Sequence, residues 1–306
     1  MLEPEELGRN RDDLAKTLRE LRKAKGCTGQ RLASLCAMSQ SKISKIETGK
    51  AVPTAVDVER ILRALDAPQS VIEEVTELAK LANTEFQDVR SLWRKGLEKK
   101  QHELVGLEKT SKVFRFFLPV MITGLLATPE YIRASLAHVP GDASKAIAKK
   151  LERQAILYNA SKSFTFILTE AAVRWALCSP PEMAMQIDRL ASLSLMANIR
   201  IGVIPLGTQS HMGPLNTFTV YDSSLATAEN FNGALMMRDP RDVEFHLNLF
   251  ALYEELAVFG DEARGHLSTW ATAYRQGSLC EYGNNPGLSA QPTRSLGAWR
   301  ENTLRS

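Results

Sequence analysis

Long apolar runs and regularly spaced cysteines are both missing from this chain of 306 residues. The most apolar stretch, residues 116–126, contains Pro119 and Gly124 and is far shorter than the roughly 20 residues that a membrane-spanning helix needs. The four cysteines show neither the CxxC spacing of a metal site nor a disulfide framework. The first residues are acidic and lack the apolar segment of a secretory signal. These absences predict a cytoplasmic protein with no membrane partner.

Signatures of catalysis and of metal binding are also missing. The five histidines are scattered, without HExxH or any other metal-ligand spacing. No GxSxG, P-loop or GxGxxG motif occurs, and no serine or aspartate lies in a local nucleophile signature. The sequence therefore predicts no enzyme activity, no metal and no cofactor.

Positive charge is concentrated near the amino terminus, although the net charge of the whole chain is only +3. Residues 8–50 carry 11 Lys and Arg against 4 Asp and Glu, whereas residues 51–90 carry 4 against 8. A basic cluster on one small unit is typical of a phosphate-binding face. An ordinary solvated helix surface is the alternative interpretation.

The segment Thr28–Glu47 indicates two short helices, the second of which begins after Ser39. On a helical wheel Ile43 and Ile46 share one side of this second helix. Four polar side chains fall within about 140° on the opposite side, and these are Gln40, Ser41, Ser44 and Lys45. Amide, hydroxyl and ammonium groups can read base edges in the major groove. We therefore predict that these four residues contact bases.

Neighbouring residues complete the predicted interface with double-stranded operator DNA. The groups expected to hold phosphates are Thr28, the Gly29 N–H, Lys42 and Lys50. Glu47 lies beside the isoleucines on the wheel, so it is expected to be half buried and to need a cation. Arg22, on the preceding helix, is its predicted partner.

With these residues the chain resembles the Xre family of bacterial helix-turn-helix regulators. The matching residues are Leu32-Ala33, Ala37-Met38-Ser39, Ile43-Ser44-Lys45-Ile46-Glu47, Gly49 and Pro53. Two positions depart from the family pattern. Ala37 replaces a turn glycine, at a cost of about 1 kcal/mol if the left-handed conformation is kept. Gly29 replaces a glutamine that contacts phosphate. The resemblance implies a lambda-repressor-like fold. A buried helical hairpin, or a helix-turn-helix unit that binds protein, remains an alternative.

Helical periodicity and turn residues predict an α+β protein that is mostly helical. The predicted segments are a five-helix DNA-binding domain at 8–83, a helical linker at 84–110, a C-terminal sensor and dimerisation domain at 111–277, and a disordered tail at 278–306. Helices come first and last in the C-terminal domain, around a small β-sheet. The predicted strands of that sheet are residues 164–168, 199–206, 216–221, 224–230 and 234–237, with a hairpin turn at Asp222-Ser223.

The second half resembles the C-terminal domain of unknown function that follows an Xre-type unit in many antitoxin-like bacterial regulators. Matching residues include Gly124-Leu125-Leu126-Ala127-Thr128-Pro129, Arg153-Gln154, Thr169-Glu170, Gln186-Ile187-Asp188-Arg189 and Gly202-Val203-Ile204-Pro205. Thr123 and Ala127 stand where that family usually has proline and glutamine. The resemblance implies a transcription factor, frequently encoded beside a small partner protein.

A possible effector pocket is indicated by Arg153, Glu170 and Arg174. Glu170 and Arg174 are spaced i, i+4 just after a predicted strand, where a pocket could form, but such a pair is usually a surface ion pair. Arg153 could lie on a helix surface or pair with Glu130 or Glu170.

Two functions of different class follow. One short helix reads only half a turn of major groove, so the first is a homodimeric regulator on an inverted repeat, whose C-terminal domain binds a small-molecule effector or a protein partner. The second is an antitoxin-like or enzymatic domain fused to an autoregulatory DNA-binding module.

Overall fold

The computed structural model describes residues 4–88, 108–139, 142–230 and 233–277. Its helices are α1 (Pro4–Ala24), α2 (Gly29–Leu35), α3 (Gln40–Glu47), α4 (Ala55–Ala64), α5 (Gln69–Asn83), α6 (Pro129–Ser135), α7 (Ser144–Arg153), α8 (Glu170–Arg174), α9 (Pro180–Leu193), α10 (Pro240–Leu256) and α11 (Gly260–Gln276). Its strands are β1 (Thr84–Asp88), β2 (Val113–Leu118), β3 (Ser163–Thr169), β4 (Ile199–Ile204), β5 (Thr217–Tyr221), β6 (Leu225–Asn230) and β7 (Gly233–Met237). The predicted α+β class is confirmed.

These elements fall into two compact units. Within the described residues, the first unit contains 4–88, 111–116 and 216–252, and the second contains 108–110, 117–215 and 253–277. The predicted tail at 278–306 lies outside the described residues.

The first unit contains the five predicted helices, which enclose an apolar core. The core includes Leu14, Leu18, Leu32, Ile43, Ile46, Val58 and Leu62, each at most 2% exposed. Local caps explain where the helices begin. Thr54 and Asp57 form a reciprocal capping box at the start of α4, as Thr28 and Ser39 cap α2 and α3 with their side chains.

The strands of the first unit follow the order β1-β7-β6-β5-β2, with β2 contributing residues up to Phe116. Strands β1 and β7, β7 and β6, and β6 and β5 pair antiparallel. Asp222 turns the predicted hairpin between β5 and β6 with a φ of 52°. Its Oδ1 accepts hydrogen bonds from the Lys112 and Val113 N–H groups at 3.0 and 2.8 Å.

Strand β1 differs from the helical linker predicted for residues 84–110. Helix α5 ends at Asn83, and Thr84 pairs with Met237 in the first position of a five-residue antiparallel ladder. The partner strand lies about 150 residues away in the chain, so local periodicity gives no sign of it. Residues 89–107 of the predicted linker lie outside the described residues.

The second unit is built on parallel strands β3 and β4, with the order β2-β3-β4 and β2 contributing from Phe117 onward. Phe164, Phe166, Ile201 and Val203 are at most 2% exposed. Gly202 is required where β4 meets Phe259, because a Cβ there would lie 2.6 Å from the ring. Helices α9 and α11 pack against each other.

Two helices of the second unit are short. Helix α7 is followed by a 3₁₀ turn at Gln154–Tyr158, and the five-residue helix α8 ends at Arg174. Within the described ranges, no helix has the length and apolar character required to cross a membrane.

Candidate nucleic-acid interface

Helices α2 and α3 form a helix-turn-helix unit whose geometry follows from its caps. The Arg31 N–H donates to the Thr28 hydroxyl oxygen at 3.2 Å, and the Lys42 N–H donates to the Ser39 hydroxyl oxygen at 3.1 Å. Ala37, in the turn between them, has a φ of 50°. Alanine therefore keeps the left-handed conformation that glycine would adopt without strain, at the expected cost of about 1 kcal/mol.

The outer face of α3 presents the polar residues that the sequence predicts for base contacts. Ile43 and Ile46 are 2% and 1% exposed on the inner face. On the opposite face, all four predicted base-contacting residues are exposed: Gln40, Ser41, Ser44 and Lys45. Two isoleucines fix the helix while its amide, hydroxyl and ammonium groups face outward, an arrangement suited to a major groove.

The predicted phosphate contacts have different surroundings. Lys50 is exposed just beyond α3. Thr28 uses its oxygen as a cap acceptor, so its O–H remains able to donate. Gly29 is the first residue of α2, where a backbone N–H has no partner within the helix. A Cβ added at Gly29 would meet nothing within 4 Å, so the surface there is open.

Lys42, which is a predicted phosphate contact, also has a partner within the protein. Its Nζ lies 2.9 Å from Asp57 Oδ1, and the two side chains are 47% and 13% exposed. The same Asp57 carboxylate completes the capping box of α4. Lys42 thus links α3 to α4, and part of its charge is neutralised before any phosphate approaches.

Arg22 pairs with Glu47 through two hydrogen bonds. Arg22 Nε and Nη2 donate to Glu47 Oε1 and Oε2 at 2.5 and 2.8 Å. A third donor, Nη1, bonds the Cys27 carbonyl oxygen at 2.7 Å. The side chains are only 14% and 11% exposed, and hydrogen bonding to Glu47 raises the pKa of Arg22 above its ordinary value. This pair ties the end of α3 to α1.

The three residues of the predicted effector pocket do not form one site. Arg153 Nε donates to Glu108 Oε1 at 2.9 Å, with the side chains 9% and 2% exposed, so its partner is neither Glu130 nor Glu170. Lys162, just before β3, also bonds Glu108, at the carbonyl oxygen. Glu170 directly follows the last residue of β3. The seven residues of this strand separate it from Lys162 by about 23 Å. Arg153 and Glu170 therefore belong to opposite ends of that strand.

Glu170 and Arg174 do contact each other, but Glu170 has a structural role. It is 8% exposed, and its Oε1 pairs with Arg174 Nη1. Its Oε2 accepts a hydrogen bond from the Leu206 N–H at 2.9 Å. Both oxygens are occupied by the chain itself, and the carboxylate joins the end of β3 to the end of β4.

Sequence reasoning missed a buried polar network around the segment 124–128. Gln154 Nε2 donates to the Gly124 and Ala127 carbonyl oxygens at 2.8 and 2.7 Å. Gln186, which is 0% exposed, accepts from the Thr128 N–H at 2.6 Å. Arg189 Nη2 donates to Gln154 Oε1 at 2.8 Å. The available signal was a glutamine on the apolar face of the amphipathic helix α9, where only a satisfied polar group is tolerated.

Thiol chemistry finds little support in the second unit. Burial raises the pKa of the Cys178 thiol to about 11, so it is protonated at neutral pH and is a poor nucleophile. Burial also raises the pKa of Tyr131 to about 12, and its hydroxyl oxygen accepts from the Ile122 N–H. Among the described residues, no cluster of three His, Cys, Asp or Glu side chains could hold a metal ion.

Comparisons with known proteins separate the two halves of the chain. Residues 13–75 match the family described as "Helix-turn-helix domain". Residues 101–269 match the family described as "Domain of unknown function (DUF5753)". No curated protein matches the chain.

Two solved structures show weak likeness. "NucT from Helicobacter pylori" is 8% identical, with a TM-score of 0.36, over 58% of this chain and 98% of that one. TrmBL2, described as an archaeal chromatin protein with a novel mode of DNA binding, is 11% identical, with a TM-score of 0.29, over 66% of each chain. TM-scores this low support no conclusion about the present chain.

The predicted combination of a helix-turn-helix unit and a C-terminal domain of unknown function is confirmed by the two family matches. The second match covers more than half of the chain. The protein therefore belongs to the family described as "Domain of unknown function (DUF5753)" and carries a helix-turn-helix domain before it.

Proposed function

We propose that this protein is a sequence-specific, DNA-binding transcriptional regulator of the Xre type. The observation that carries the proposal is the outer face of α3, where Gln40, Ser41, Ser44 and Lys45 are exposed. A face of this composition, on a helix anchored by two buried isoleucines, fits the donor and acceptor pattern of base edges in the major groove.

The regulator binds DNA as a homodimer. Helix α3 has eight residues and is about 12 Å long, so one copy reaches only a few base pairs. Two copies with recognition helices about 34–36 Å apart would read an inverted repeat and gain useful affinity.

The C-terminal domain serves this regulator as a sensor, bound by a small-molecule effector or by a small protein encoded nearby, rather than as an enzyme. Its buried polar side chains support this role, because Gln154, Gln186 and Glu170 are bonded to the chain itself instead of converging on a reaction centre. The protein acts in the cytoplasm, where operator DNA is present.

Selection of bound duplexes from a random pool tests the proposal most directly. The purified full chain is expected to enrich an inverted repeat with half-sites about one helical turn apart. A variant with Gln40 and Lys45 both replaced by alanine provides the matched control, because both side chains are exposed and the fold does not depend on them. Failure of the wild-type protein to enrich any sequence, in a preparation that is folded, would refute sequence-specific binding.

A further inference from the structure

The carboxyl ends of three strands meet at one edge of the second unit. The Thr169 hydroxyl, at the end of β3, donates to the Pro119 carbonyl oxygen just after β2, at 2.7 Å. The Leu206 N–H, just after β4, donates to Glu170 Oε2 just after β3, at 2.9 Å. The segments that follow β2, β3 and β4 therefore lie side by side.

The loop at 207–215 reaches the same edge. The Tyr253 hydroxyl donates to the Gly213 carbonyl oxygen at 3.1 Å. The Tyr253 ring stacks on Phe117, near the end of β2, with ring centroids 3.9 Å apart and an interplanar angle of 6°. These two contacts place the loop over the carboxyl end of β2.

Large apolar side chains project from these four segments into solvent, and we call them the apolar edge. Its members are Val120 (60% exposed), Met121 (38%), Trp175 (66%), Leu206 (67%), Met212 (44%) and Leu215 (93%). If each such side chain offers on the order of 170 Å² when free, the six expose roughly 600 Å². The largest apolar patch on an ordinary monomer reaches about 300–600 Å², and patches of this size mark interaction sites.

The polar groups beside the apolar edge favour a protein occupant over a small ligand. A ligand pocket needs a few convergent polar groups that are available to the ligand. Here Glu170 is bonded through one oxygen to Arg174 and through the other to the Leu206 N–H. The edge offers exposed apolar area, which is the kind of surface that a protein partner buries.

A second copy of this chain fits that area best. A standard interface buries about 800 Å² per partner, and the roughly 600 Å² of apolar surface would form its centre. In a two-fold dimer the same patch on each copy packs against itself, and apolar side chains are complementary to one another. The proposed dimeric function independently requires such a partner.

We propose that the apolar edge is the surface through which two copies of this protein associate when they bind DNA. The inference rests on the proposed dimeric function and identifies the contact that creates the dimer. Apolar side chains on both copies leave water together, whereas a carboxylate introduced there would be buried without a partner.

Charge substitutions in the full-length protein test the inference. Leu215→Glu and Trp175→Glu are compared with Tyr158→Glu and Leu195→Glu, whose native side chains are 66% and 70% exposed before the amino ends of β3 and β4. Sedimentation equilibrium is expected to show a dimer dissociation constant raised at least about 100-fold in the first pair and unchanged in the second. Thermal unfolding verifies folding, and Leu215, at 93% exposure, tolerates a charge in the monomer.

The outcomes separate the inference from the function on which it rests. If both Leu215→Glu and Trp175→Glu remain dimers like the wild type, the apolar edge is not the dimer contact. The proposal of a dimeric regulator then still stands. Equal weakening in all four variants also overturns the inference, since the effect is then not specific to the edge. A wild-type protein that binds its selected DNA as a monomer overturns the dimeric function itself.

Discussion

Helices α3 and α9 each carry glutamine, yet the two glutamines meet opposite environments. Gln40 is exposed on the outer face of α3, whereas Gln186 is 0% exposed on the inner face of α9, beside Met183, Ile187 and Leu190. Gln186 uses its amide to bond the Leu126 carbonyl oxygen and the Thr128 N–H. The comparison teaches that a polar residue on the apolar face of a helix supports the fold, while one opposite the apolar face is available to a partner.

The same contrast separates two groups of charged residues. Arg22 and Glu47 are nearly buried and bonded twice, whereas Lys45 and Lys50 are exposed. Changes to the first class should reduce the free energy of unfolding, and changes to the second should reduce DNA affinity. Four sets of substitutions test this division.

The largest effect is expected for Glu47→Ala. It leaves the Arg22 guanidinium partly buried without its carboxylate, and loss of one partner of such a pair costs about 3–4 kcal/mol. Chemical denaturation of the full-length protein measures the free energy of unfolding. Glu47→Gln, which keeps the shape and one acceptor, should recover part of the loss. An unfolding free energy unchanged in Glu47→Ala would mean that the pair is not stabilising.

Gln186→Ala is expected to cost about 2–3 kcal/mol of unfolding free energy. The substitution removes the acceptor of the buried Thr128 N–H and leaves a cavity beside the segment 124–128. Gln69→Ala is a suitable control, because Gln69 is exposed and bonds only Glu73 among the described contacts. Differential scanning calorimetry compares the two, and equal melting temperatures would contradict the assignment of Gln186 to the fold.

Much of the first unit could be predicted from sequence because its determinants are local. Thr28, Ser39 and Thr54 are caps that act within three residues, and the spacing of Ile43 and Ile46 defines the inner face of α3. Alternating apolar residues likewise predicted β3, and Asp222 predicted the β5–β6 hairpin.

What sequence could not predict depends on distant partners. Strand β1 exists because of β7, and Glu108 is bonded to Arg153 across 45 positions in the chain. The wheel of α3 likewise gives no sign that Asp57 lies 2.9 Å from the Lys42 ammonium group. Choice among several possible charged partners is set by tertiary packing, and neither propensity nor periodicity contains that information.

Gln40→Ala should cost about 1–2 kcal/mol of binding free energy on the selected operator and little on random DNA. Its unfolding free energy should change by less than about 0.5 kcal/mol, because the side chain is exposed. Titration of labelled duplexes gives both affinities. Equal losses on operator and random DNA would remove Gln40 from the residues that read sequence.

The smallest effect separates two lysines that the sequence treats alike. Lys50→Ala should weaken binding to operator and random DNA equally and reduce the slope of log K against log salt by about 0.9, the value for one released counterion. Lys42→Ala should reduce the slope by less, because Asp57 already neutralises part of the Lys42 charge. Asp57→Asn keeps an oxygen for the α4 cap but leaves the Lys42 charge without its carboxylate partner. In that variant Lys42→Ala should reduce the salt slope about as much as Lys50→Ala does, and Asp57→Asn alone should strengthen binding to random DNA. Identical salt slopes for Lys42→Ala and Lys50→Ala would show that DNA displaces Asp57 completely, and that the pair seen in the free protein has no influence on the bound state.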